Sequence, residues 1–219
     1  MSAATPFPNP ALRRSAPADT LIVADVGGTY ARVALADVAP GQAPRITALR
    51  RYACAEHASL AVILADFRAS LPQPPSVAVV AIAGVLKGDD LVNTNLPWPV
   101  SVQATRRDAQ LATLELINDF EAVAYAIPYV EADTRVALTP DAPQANGWPA
   151  LVLGAGTGLG AALRFEAGSR AVLASEAGHA ALGAGNTLEL QVLQQLLQRW
   201  EHVDNERVLS GTGLMNLYP

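Results

Sequence analysis

Apolar residues recur along this chain in short blocks whose period switches between two and roughly 3.6, with glycine, proline and charged residues between the blocks. Residues 21–26, 30–37 and 45–52 are β-branched or alternating runs joined by Gly27-Gly28 and by an APGQAP stretch, which predicts three strands in an antiparallel meander. Leu60, Ile63, Leu64, Phe67 and Leu71 then fall at helical spacing, with Ser59 placed to cap the start and Pro72, Pro74 and Pro75 to stop the end. The continuous apolar run over 77–83 predicts a central strand covered on both faces. After Asp89-Asp90 a short strand leads to Asn95, Pro97, Trp98 and Pro99; Ser101 is placed to cap a helix reaching about Leu111, and a strand over 114–117 and a helix over 119–127 follow, with Pro128 as a boundary. The second half predicts strands near 135–138, 150–153, 160–165 and 170–174, then a helix over 186–200 with Leu190, Leu193, Leu197 and Trp200 on one stripe.

Meander, helix, strand and helix, echoed once, imply two α/β lobes with a cleft between them. The boundaries expected are a disordered, Ala- and Pro-rich tail over 1–18, a small lobe over 19–129 and a partial large lobe over 130–219.

Two glycine-rich turns carry the first chemical signal. LIVADVGGTYARVAL and LVLGAGTGLGAALRF each place glycines after a β-branched run, where backbone N–H groups can approach an anion without an intervening Cβ and a threonine adds a hydroxyl donor. Strand, Gly-Gly, strand is equally an ordinary hairpin. Neither turn is a GxxxxGK[ST] loop, and the dinucleotide fingerprint fails because Leu159 stands where its third glycine belongs. Between the turns lies LELINDFEAVAYAIP. Asp119 ends its strand and begins its helix, so partial desolvation would raise its pKa toward a general base; the competing role is a helix N-cap. Glu176 and His179, three apart in SEAGH, suit vicinal hydroxyls or a surface hydrogen bond, and Glu206 in NERVLSG is an isolated acid on a polar stretch.

Charge and composition narrow the classes. The 219 residues are 51% hydrophobic with mean hydropathy +0.22, ample for packed cores. Twenty acidic against 15 basic residues give net charge −5, and no Lys/Arg run exceeds two, so nucleic-acid and membrane-surface roles have no electrostatic support. Cys54 is the single cysteine, which excludes an internal disulfide and points to a reducing, cytoplasmic setting; the three scattered histidines argue against structural zinc. The longest apolar run, 77–86, is too short to span a bilayer, and Arg13-Arg14 is not followed by a proper signal-peptide apolar stretch.

The strings DVGGT, TN followed by Trp98, LINDF, GAGTGLG, EAGH and ERVLSGTGL, in this order and spacing, resemble the bacterial glucokinases of the actin-like ATPase and sugar-kinase superfamily. The resemblance implies a two-lobed actin-like ATPase (ribonuclease H-like) α/β fold and transfer of the ATP γ-phosphoryl group to the glucose 6-hydroxyl. It places ATP phosphates on Asp25, Gly27, Gly28 and Thr29 and on Gly156, Thr157 and Gly158, with Asp25 also positioning Mg²⁺. It makes Asp119 the base and Asn118, Asp119, Glu176, His179 and Glu206 the glucose ligands. A homodimer is compatible with it; mannose or fructose as substrate stays open, as does a non-catalytic sugar-binding or regulatory module. An exopolyphosphatase-like or acetate-kinase-like reading leaves Glu176, His179 and Glu206 together without a purpose. Two departures stand out: Tyr30 replaces the usual Asn after GGT, and Ala177 replaces a glycine, which would strain the backbone if φ were positive there. Chains of the family run about half as long again, so this one reads as a fragment or truncated product without the adenosine-pocket glycines and the last helix.

Overall fold

The computed structural model describes residues 19–39, 42–93, 96–139, 149–165 and 171–218. The expected tail over 1–18, the Thr94-Asn95 pair and Arg170 lie outside the described residues. Contacts divide the chain into two units, Met1–Ala122 and Val123–Pro219.

In the first unit the meander forms as β1 (Asp19–Val26), β2 (Tyr30–Val38) and β3 (Arg45–Ala53). Helix α1 (Leu60–Ala69) follows, then β4 (Val77–Ile82), a ribbon of β5 (Val85–Lys87), β6 (Asp90–Val92) and β7 (Val100–Ser101), helix α2 (Val102–Asp108), β8 (Thr113–Ile117) and the first half of α3 (Asp119–Ala126), whose last four residues fall in the second unit. The sheet order is β3-β2-β1-β4-β8: β1 runs antiparallel to β2 but parallel to β4, and β4 parallel to β8. These parallel pairs bring the carboxyl ends of β1, β4 and β8 side by side, with Val26 opposite Ile82 and Ala81 opposite Ile117. In open α/β sheets ligands gather at such ends.

The helical spacing read from the sequence is the buried stripe of α1: Leu60, Ile63, Leu64 and Phe67 lie against Ile22, Val33, Ala78, Val80 and Ile82, all at most 1% exposed. Ser59 accepts from Val62 N and Ser101 from Ala104 N, so both expected caps form. Strand β4 departs from its expectation. Its residues alternate, with Ala78, Val80 and Ile82 fully buried and Val77 38% exposed, so one face packs on the helices while the other is only half covered among the described residues. β5 and β7 were not legible because strands of three and two residues carry no periodicity.

The second unit holds a three-stranded antiparallel sheet, β11-β10-β9, built from β9 (Ala150–Ala155), β10 (Leu159–Arg164) and β11 (Val172–Ser175). Helix α4 (Thr187–Leu196) begins at a reciprocal cap: Asn186 Oδ1 accepts from Glu189 N at 3.0 Å and Glu189 Oε1 accepts from Asn186 Nδ2 at 2.8 Å. Short helix α5 (Gly211–Asn216) closes the described chain. Two expectations fail here. The stretch 135–138 forms no strand, and Val136 and Leu138 are 86% and 92% exposed; alternation over four residues does not hold a strand without a partner. The helix ends at Leu196, not residue 200, so its buried stripe shifts: Leu196 packs with Val203 and Val208, Leu193 and Trp200 lean on that cluster, and Leu190 and Leu197 stay about half exposed. Among the described residues no helix is long and apolar enough to cross a membrane.

Candidate active site

In the first unit the candidate residues collect at the carboxyl ends of β1 and β8. Residues 27–29 join β1 to β2 in a tight hairpin, with Gly27 N donating to Tyr30 O at 3.0 Å. The hairpin and phosphate-loop readings of DVGGT are thus compatible, since the turn is a hairpin whose tip stands beyond a parallel strand end. Asp25, just before it, accepts from Arg32 Nη1 at 2.8 Å across the β1–β2 ladder, and both side chains are more than half exposed. An ion pair so exposed adds little to stability.

Asn118 and Asp119 follow β8. The cap of α3 belongs to Asn118, whose Oδ1 accepts from Phe120 N at 2.9 Å and Glu121 N at 3.2 Å; Asp119 Oδ1 accepts from Phe120 N, at 3.0 Å, and not from Glu121 N. The N-cap role weighed for Asp119 therefore falls to its neighbour, and Asp119 is left with capacity for another partner. Burial raises the Asp119 pKa, against two backbone hydrogen bonds that lower it, and the Asp25 carboxylate raises it further. Burial also raises Glu115 on β8 and Glu121 on α3.

A raised carboxyl pKa means that the folded chain holds the Asp119 proton more tightly than the unfolded chain does. Stability from this group is complete below the unfolded pKa and is lost as pH rises through the folded one. Asp119→Asn is therefore expected to raise Tm at pH 7, the gain vanishing in acid below the ordinary carboxylate range. Thermal unfolding of both proteins across pH checks this; a lower Tm for the variant at pH 7 would refute the desolvation.

In the second unit the β9–β10 turn, the short turn Ala177–His179 and the segment Asn205–Arg207 form one knot. Leu159 N donates to Glu206 Oε2 at 2.8 Å, and Gly211 N donates to Gly156 O at 2.8 Å. A Cβ at residue 158 would lie 2.4 Å from Glu206 Oε2, and one at residue 178 only 2.2 Å from Leu159 O. Glu206 is therefore not a loose surface acid but a carboxylate seated on the glycine turn. His179 lies between two carboxylates, Nδ1 3.4 Å from Asp204 Oδ2 and Nε2 3.8 Å from Glu176 Oε2. Ala177 brings no strain, since among the described residues the non-glycine ones with positive φ are Ala48 and Gln110.

Two residues escaped the sequence reading. Asp204, with its side chain 13% exposed, accepts from Arg207 N at 2.9 Å and faces His179; its signal was the capping pattern of an Asp three residues before Arg207. Gly178 is required by close approach, which a sequence does not display.

Among the described residues no three His, Cys, Asp or Glu side chains gather as a metal cage. Magnesium seldom needs one: it takes one or two carboxylates and fills its octahedron with water and substrate phosphate. Asp25, more than half exposed near the carboxyl end of β1, fits that pattern.

The parallel strand ends, the meander and the repeated glycine turns define the actin-like ATPase fold shared by sugar kinases. Residues 22–219 match the family described as Glucokinase, and the chain belongs to the glucokinase family. It is 43% identical over 217 residues to a glucokinase-like protein of Xylella fastidiosa strain 9a5c, covering 97% of this chain and 64% of that one. It is 36% identical to a glucokinase of Nitrobacter hamburgensis, over 90% of this chain and 61% of the relative. The crystal structure of a glucokinase from an Antarctic psychrotroph matches with TM-score 0.76 at 35% identity, over 91% of this chain and 63% of that one. The chain thus spans about three fifths of the length of these relatives.

Proposed function

We propose that this chain carries the phosphate-loop, base and sugar-recognition residues of a kinase that moves the ATP γ-phosphoryl group to the 6-hydroxyl of glucose. The observation that carries the reading is Asp119: a half-buried carboxylate of raised pKa at the end of β8, close enough to Asp25 at the end of β1 for their charges to interact. A solvated structural acid would not be so placed.

The lobes are assigned to 19–129 and 130–219. Gly27, Gly28 and Thr29, and Gly156, Thr157 and Gly158, offer backbone and hydroxyl donors to the phosphates. Asp25 would hold Mg²⁺, exchanging its present partner Arg32; the ion neutralises phosphate charge when bound. Asp119 accepts the sugar hydroxyl proton late in the transfer. Asn118 has its Oδ1 engaged in the cap, which leaves its amide N–H groups for a sugar oxygen. Glu176 and Glu206 accept from sugar hydroxyls, and His179, oriented by Asp204, donates or accepts. Such polar readout discriminates among epimers by leaving wrong partners unpaired.

The test is glucose 6-phosphate formation from glucose and Mg·ATP, measured with the 219-residue chain and with this chain extended by the remaining length of a relative. No product from either overturns the proposal. Thermal shifts separate catalysis from sensing: stabilisation by both glucose and Mg·ATP is expected, whereas glucose alone would mark a sugar-binding module.

A further inference from the structure

We infer that Cys54 and Trp98 are positioning residues that brace the Gly27–Gly28–Thr29 loop from beneath, an inference that rests on the proposed phosphate-binding role of that loop. Cys54 is fully buried at the end of the meander and contributes three groups to one network. Its backbone N–H donates to Thr29 O at 2.9 Å, its thiol donates to Gly27 O at 3.4 Å, and its own carbonyl accepts from Trp98 Nε1 at 3.2 Å. The two loop carbonyls flanking Gly28 are therefore both tied to one residue. That residue is tied in turn to a tryptophan 8% exposed, standing between β6 and β7.

The geometry matters because a phosphate loop works through amide N–H groups. Each peptide plane that turns its carbonyl inward to Cys54 turns the N–H on its far side the other way. Holding Gly27 O and Thr29 O fixes the Gly27–Gly28 and Thr29–Tyr30 peptide planes and so the directions in which the amides of Gly28 and Tyr30 point. Glycine alone would leave those planes free to rotate. Burial keeps the Cys54 thiol protonated by raising its pKa, so it remains a donor. The indole N–H keeps the buried Cys54 carbonyl paired, and thereby holds Cys54 at the depth from which it reaches the loop.

The experiment compares wild-type protein with Cys54→Ala, Cys54→Ser and Trp98→Phe. Hydrogen exchange of the segment 27–30 is read together with the dissociation constants for Mg·ATP and for glucose. Loss of one buried hydrogen bond predicts exchange faster by about fivefold in Cys54→Ala and about tenfold in Trp98→Phe. The Mg·ATP constant should weaken by similar factors and the glucose constant should stay within about twofold. Cys54→Ser should restore both readings, because its hydroxyl donates to the same carbonyl. A residue that only fills space predicts the reverse, with serine worse than alanine in an apolar core; that order, or unchanged exchange in Cys54→Ala and Trp98→Phe, overturns the brace. Faster exchange with an unaltered Mg·ATP constant would leave the brace standing and remove the nucleotide role of the loop instead.

Discussion

Asp119→Ala is expected to lower kcat for glucose phosphorylation by on the order of 10²–10⁴ while leaving the glucose dissociation constant within about threefold of wild type. The split follows from what the side chain does. Its carboxylate accepts from backbone amides at the start of α3, but the α3 cap rests on Asn118, so removing Asp119 leaves the helix start in place. In the proposed site, sugar recognition would retain Asn118 and the residues assigned to it in the second unit. What disappears is an acceptor whose affinity for a proton burial has raised. Phosphoryl transfer depends mainly on positioning and charge neutralisation, so the loss should fall short of what metal or loop removal would cause. Single-turnover rates with isothermal titration of glucose separate the two quantities. Full activity in the variant would take Asp119 out of the reaction.

The same residue links activity and stability in opposite directions. Asp119→Asn keeps the side-chain oxygen near Phe120 N but removes a charge that burial penalises, so it should be more stable at neutral pH and less active. A purely structural carboxylate would lose stability when neutralised. That pairing of signs identifies a group held in an unfavourable environment for use.

How much of this was legible depended on the range of the interaction involved. The α1 stripe, both serine caps and the meander are set by residues three or fewer positions apart, or by alternation, and sequence displays these directly. The Asn118-Asp119 junction was readable as a strand end meeting a helix start, although which side chain capped it was not, because adjacent Asn and Asp compete for the same amides. Contacts between segments distant in sequence were invisible. Glu206 looked like a solvated acid until Leu159 N, 47 positions away, was found bound to it. The thiol of Cys54 meets Gly27 O across 27 positions in the same manner. The α4 stripe failed for a different reason: the apolar period continued past Leu196, where the helix stops, so the stripe was read as one face although Leu193 and Trp200 pack with Leu196 while Leu190 and Leu197 do not.

Gly178→Ala is expected to cost at least about 3 kcal/mol and to lower the Tm of the second unit by on the order of 10–20 °C. A methyl at that position would sit 2.2 Å from Leu159 O and 3.2 Å from the Leu159 carbonyl carbon. No rotamer relieves a clash between a Cβ and a backbone carbonyl, so the chain itself must move. Leu159 is the residue whose N–H holds Glu206, and displacing it drags the Glu206 carboxylate and the turn at Gly158 with it. The control is Gly183→Ala, where nothing lies within 4 Å of the added carbon and little change is expected. Gly158→Ala refines the test: its Cβ would meet the Glu206 carboxylate 2.4 Å away, a side-chain end that can swing aside, so stability should fall less while glucose affinity falls more. Urea unfolding of the three variants with glucose titrations checks the ranking. A Gly178→Ala protein within about 2 °C of wild type would show that the 177–179 turn yields freely, and that Glu206 is not held by the packing of these three segments.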